Sequence, residues 1–128
     1  MTDYASDWVL ILSILTRARE ALVRKGWTQG LYARDASHSQ VTPDDEYAVC
    51  FCSMGAVYRY IPKSDKKRTA YHIHALFACV LNIDPTELHM GEWNDDPKRT
   101  KEDVLSLYDK AISVARVKQV GGSTQGGT

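Results

Sequence analysis

The sequence predicts a mainly α-helical fold: a compact, bundle-like domain of four main helices and a short helical turn, with a long loop or short hairpin after the first helix. Three observations predict it. Apolar residues recur at helical spacing in four separate segments. Most of these segments carry a capping signature at the start, or a Gly or Pro at the end. The 128 residues, 44% apolar and 25% charged, are ordinary composition for one globular domain. The domain is expected over residues 1–120. The Gly-rich stretch 121–128 lacks apolar side chains to bury and is expected to be a disordered tail.

The first helix opens with Asp7 as N-cap, and Trp8, Ile11, Leu12, Leu15, Ala18 and Leu22 follow on one face. Arg24 and Lys25 suit the negative end of its dipole, and Gly26 ends it. From Trp27 to Val41 no helical period appears. Leu31–Ala33 and Gln40–Val41 are read as a short hairpin around the turn-prone Asp35–Ser39. Thr42-Pro43-Asp44-Asp45-Glu46 is a helix-start signature, with a capping hydroxyl, Pro at the first position and acids in the first turn. The second helix is therefore expected over Pro43–Ile61, with Tyr47, Phe51, Met54, Tyr58 and Ile61 on its inner face. Cys52, Ser53, Gly55 and Ala56 lie opposite, small enough for another backbone to come close, or for a homodimer to form there.

Ser64 or Asp65 caps the third helix, which runs to Leu81 or Asn82. Ile83-Asp84-Pro85-Thr86-Glu87 predicts one helical turn through Met90, followed by a loop over Gly91–Lys98. Thr100 and Asp103 have capping-box spacing and open the last helix, with Val104, Tyr108, Ala111, Ile112 and Ala115 facing inward.

Charge and cysteine content exclude several functions. Sixteen basic residues balance sixteen acidic ones, which argues against a polybasic nucleic-acid or membrane binder. No run approaches the roughly 18 apolar residues of a membrane span. Three cysteines suit free thiols in a reducing cytoplasm, which is the expected location.

Cys50-x-Cys52 and His72-x-His74 offer zinc-ligand chemistry. Residues two apart on a helix diverge by roughly 200°, so neither pair converges, and no metal or other cofactor is expected. Cys52 as a nucleophile with His74 or His89 as base and Asn94 or Asp95 as orienting group is the enzymatic alternative, a hydrolase or transferase. Such a thiol belongs at a helix N-terminus, and a helix begun at Pro43 places Cys52 two turns inside. Two loops, Trp27-Thr28-Gln29-Gly30 and Trp93-Asn94-Asp95, each set an indole beside turn-forming polar residues. They can line one shallow contact surface, or simply close the ends of the core while Asn94 and Asp95 hold loop backbone. Residues 59–68 carry +4 from Arg59, Lys63, Lys66, Lys67 and Arg68 against Asp65. That patch is too small for strong nucleic-acid affinity, which leaves a nucleotide or small nucleic-acid binder as a further alternative.

Several motifs occur together: Gly26-Trp27-Thr28-Gln29-Gly30, Tyr32-Ala33-Arg34-Asp35, Cys52-Ser53-Met54-Gly55-Ala56, and Trp93-Asn94-Asp95-x-Pro97-x-Arg99-Thr100. In this the chain resembles a small domain-of-unknown-function family of bacterial and bacteriophage proteins. The resemblance implies a cytoplasmic domain of phage or mobile-element origin, and brings no activity with it. The expected function is thus a non-enzymatic protein-binding module acting on a host or phage protein. Its expected contact residues are Trp27, Gln29, Tyr32, Arg34, Trp93, Asn94 and Asp95. Recognition is preferred over catalysis on the premise that Pro43–Ile61 winds as one continuous helix.

Overall fold

A computed structural model describes the backbone of residues 4–127 and the side chains of residues 7–120. The element order is α1 (Tyr4–Arg24), β1 (Ala33–Arg34), β2 (Cys50–Phe51), α2 (Ser53–Tyr60), a 3-10 turn (Lys63–Asp65), α3 (Lys66–Leu81), α4 (Met90–Asp95) and α5 (Lys101–Gly127). The fold is mainly helical, with one two-stranded sheet. The expected tail at 121–128 lies outside the residues whose side chains are described.

Helices α1 and α5 lie side by side and form the frame, crossed at the surface by a 2.6 Å ion pair from Arg19 to Asp109. Their inward stripes are the ones the periodicity marks: Ile11, Leu15, Ala18 and Leu22 on α1, and Val104, Tyr108, Ala111 and Ala115 on α5, all buried. Phe77 of α3 closes the core against Tyr108, ring edge to ring face at 5.3 Å. Helix α1 begins at Tyr4, so Asp7 lies in its first turn instead of capping it, and it pairs with Arg68 at 2.7 Å. The capping box of α5 forms as expected: Thr100 N–H donates to Asp103 Oδ2 and Asp103 N–H to Thr100 Oγ1. Asp65 precedes α3 but makes no side-chain cap, and Asn82 ends that helix in the left-handed conformation.

The second helix departs from expectation. It covers Ser53–Tyr60 alone, and Thr42–Val49 is a chain of turns. The reason is competition for the backbone. Asp45 Oδ1 accepts the N–H of Tyr47, two residues ahead, an arrangement that favours a turn. Arg59 Nη1 donates to the carbonyls of Pro43 and Asp45, holding them outside any helix. Val49 N–H then bonds Arg34 O, Phe51 N–H bonds Gly26 O, and Thr28 N–H bonds Phe51 O. Cys50 and Phe51 are therefore drawn out as β2 between β1 and the Gly26–Thr28 segment. Tyr47, expected inside, is 70% exposed.

The hairpin predicted in the long loop is present: Val41 N–H bonds Ala33 O, Arg34 bridges Gln40, and Asp35 Oδ1 caps the turn by accepting from Ser37 and Ser39. Its strand β1 pairs antiparallel with β2, Ala33 opposite Phe51. The small-residue face of α2 does receive another backbone, and it is the chain's own. A Cβ on Gly55 would stand 2.0 Å from Tyr32 O. Ser53, Gly55 and Ala56 are buried there, so that face is closed to a homodimer. Helix α4 occupies part of the expected loop over Gly91–Lys98. No helix among the described residues is long and apolar enough to cross a membrane.

Candidate functional site

The two tryptophan loops meet, and Asn94 joins them. Its side chain is fully buried. Oδ1 accepts from Trp27 Nε1 at 2.8 Å and from Ser53 N–H at 2.9 Å. Nδ2 donates to Thr28 O and to Asp95 Oδ1, both at 3.0 Å. One amide thus satisfies the loop after α1, the start of α2 and the end of α4. Gln29 Nε2 adds bonds to the carbonyls of Asn94 and Asp96. Gly30, at φ +87°, turns its N–H onto Asp95 Oδ1, a conformation that side-chain-bearing residues rarely adopt. Arg34 spreads its guanidinium over Thr28 Oγ1, Gln29 O and His38 O. Trp93 is half-buried under the Arg99 guanidinium, 4.0 Å from its ring centre. Trp27, Gln29, Arg34, Asn94 and Asp95 therefore hydrogen-bond within the chain and fix this corner.

Cys52 sits where the corner meets α2, and it is the N-cap of that helix. The premise of one continuous helix over Pro43–Ile61 fails, and with it the argument that Cys52 lies inside a helix. Its sulfur accepts the N–H of Gly55 at 3.2 Å, and its own N–H bonds Tyr32 O. Only 6% of the residue is exposed. Burial pushes the thiol above its usual range, outweighing the backbone N–H groups that favour the thiolate, and the Asp95 carboxylate adds to the rise. His74 Nε2 lies 3.0 Å from Pro85 O. The two cysteines and two histidines do not gather: His72 and His74 border different cavities. Among the described residues no group of three His, Cys, Asp or Glu could hold a metal ion.

What opens to solvent here is aromatic. A cavity of about 220 Å³ lies between Tyr32, Gln40, Cys52, Gly91 and Asp95. A second, of about 420 Å³, continues past Cys52 along Tyr58, Tyr71, His74, Leu88 and His89. Tyr32 borders both, its ring edge on to Tyr58 at 5.4 Å. Tyr32 is 53% exposed and Tyr71 66%. Sequence reasoning found Tyr32 but missed Tyr58 and Tyr71. Tyr58 reads in the sequence only as an inner-face residue of the second helix, and no motif or spacing singles out Tyr71.

Residues 9–114 match the model of DUF6197, a family of unknown function. The chain belongs to this family. The match spans the corner just described, from α1 through the capping box of α5. No curated protein matches the chain, and no solved structure does.

Proposed function

We propose that this member of the family is a non-enzymatic recognition module that takes a segment of a partner protein into the tyrosine-lined groove beside Cys52. The observation that carries this is Tyr32. It is half-exposed between two adjoining cavities, its carbonyl held by Cys52 N–H immediately before β1 pairs with β2. Amphipathic rings on a fixed scaffold suit protein contact, because little entropy is lost when they bind. Met54 and Leu88 give the groove an apolar floor, and Asp95, His74 and His89 give it a polar rim. The tryptophan loops act as the frame of this surface. The setting we propose is a phage or mobile-element accessory role against a host protein, and the three unbridged cysteines fit a reducing cytoplasm.

Capture from a bacterial lysate tests the proposal. A Tyr32→Ala, Tyr71→Ala chain should fold, since both rings are largely solvent-facing, and should lose whatever the wild type retains specifically. An identical set of captured proteins from both chains would contradict the proposal.

One observation favours a second possibility, a Cys52-dependent hydrolase or transferase: Cys52 does stand at a helix N-terminus, where a dipole can stabilise a thiolate. Against it stand the burial of the sulfur and its bond to Gly55.

A further inference from the structure

Beyond Tyr32, on the side away from Cys52, lies a third cavity of about 430 Å³. We propose that it binds a phosphate monoester carried on, or close to, an aromatic ring. This holds whether or not the neighbouring groove takes a protein segment. The volume lies within the range of small-ligand sites. Arg59, Lys63 and Lys66 line it against the single carboxylate of Asp44, a net charge of +2 from three cations and one anion. Arg59 is fixed by the carbonyls of Pro43 and Asp45 and lends only its field.

The two lysines are different. Lys63 is 91% exposed and reaches Asp44 only at 3.8 Å, and Lys66 rests over the Tyr58 ring, 5.1 Å from its centre. Lys66 also opens α3, whose first turn holds no acid and whose N-cap makes no side-chain bond. Cations at that end oppose the helix dipole, and a bound anion relieves the conflict. A phosphate monoester brings roughly two negative charges near pH 7, which matches the net +2 where one carboxylate would not. The exposed part of the Tyr32 ring, set edge on to Tyr58, offers the accompanying ring a surface to stack on. A nucleic-acid strand is a poorer fit, because its affinity grows with the number of phosphates neutralised and only three cations line the cavity, one of them already held by backbone carbonyls.

The test is an amide-resolved NMR titration of the full chain with phenyl phosphate, alongside inorganic phosphate and phenol. Saturable shifts are expected at residues 63–66 and at Tyr58. Phenyl phosphate should bind roughly tenfold or more tighter than either fragment, and a Lys63→Gln, Lys66→Gln chain should lose a similar factor. Both lysines lie at the surface, so the variant keeps its fold and its dispersed spectrum. O-phosphotyrosine and AMP, run in parallel, distinguish a phosphorylated side chain from a nucleotide as the source, and tighter binding of either supports the site. Absence of saturable shifts at these amides, equal binding by inorganic phosphate, or undiminished binding by the double variant would overturn it.

Discussion

A Gly55→Ala chain is expected to be severely destabilised, or not to fold at all. The added methyl would lie 2.0 Å from Tyr32 O and 2.8 Å from Tyr32 C, both backbone atoms. Rotating a side chain cannot relieve the clash. Tyr32 O itself is engaged by Cys52 N–H, and the next residues are held by β2. Overpacking commonly costs about 1–3 kcal/mol, and here neither partner can yield, so about 3 kcal/mol or more is expected. That is a large fraction of a typical domain stability and corresponds to a fall of about 10 °C or more in Tm. Gly91→Ala provides the contrast. Beyond its chain neighbours and its own helix backbone nothing lies within 4 Å of the added methyl, and the residue is inside α4. That change should be neutral or stabilising by up to about 1 kcal/mol, as helix propensity dictates. Thermal unfolding of the two chains checks both signs, and equal midpoints would mean that the close approach at Tyr32 is wrong.

The second large effect is expected at Asn94. Removing its amide in Asn94→Ala strands Trp27 Nε1, Ser53 N–H and Thr28 O, which meet at one buried side chain. A buried polar group without a partner costs about 1–3 kcal/mol, so three together should lower stability by roughly 3–5 kcal/mol. Asn94→Asp separates acceptor from donor. It can still accept from Trp27 and Ser53, but it sets a carboxylate oxygen against Thr28 O and the Asp95 carboxylate. It too should be destabilised, and denaturant midpoints measure both. A wild-type midpoint for Asn94→Ala would show that the loops hold their place without it.

These two residues show what the sequence discloses and what it conceals. Helices α1, α3 and α5 were legible because their signals are local: apolar period, the Thr100–Asp103 box, Gly26 after Arg24. The stretch from Pro43 to Cys52 also carries a local signal, a strong one, and it misleads. Its N–H groups are claimed by Arg34 O, Gly26 O and Tyr32 O, acceptors remote in sequence that no local pattern reveals. Helix α4 was missed for the converse reason. Gly91, Asn94 and Asp95 are poor helix formers, yet the segment winds because Asn94 is anchored from the other side of the chain.

At the candidate site, the sequence marked both tryptophan loops but left open whether they share one surface or close the two ends of the core, and the bond from Trp27 Nε1 to Asn94 Oδ1 joins them. The polar side chains follow the reading in which Asn94 and Asp95 hold loop backbone: Asn94 Nδ2 donates to Thr28 O, and Asp95 Oδ1 accepts from Gly30 N–H. Asn94 and Arg34, expected to face a partner, are bonded inside. The small residues of the Cys52–Ala56 run did announce a close backbone approach, and only the identity of the approaching strand, that of Tyr32, required coordinates.

Recognition and catalysis part company at one sulfur atom. Cys79 is exposed and serves as an internal standard for Cys52. In the folded chain at neutral pH, iodoacetamide followed by peptide mass mapping should modify Cys79 first and leave Cys52 untouched until denaturant is added, because the buried thiol stays protonated as the cap of α2. Faster modification of Cys52 than of Cys79 in the native protein would reveal an activated thiolate and contradict a recognition module.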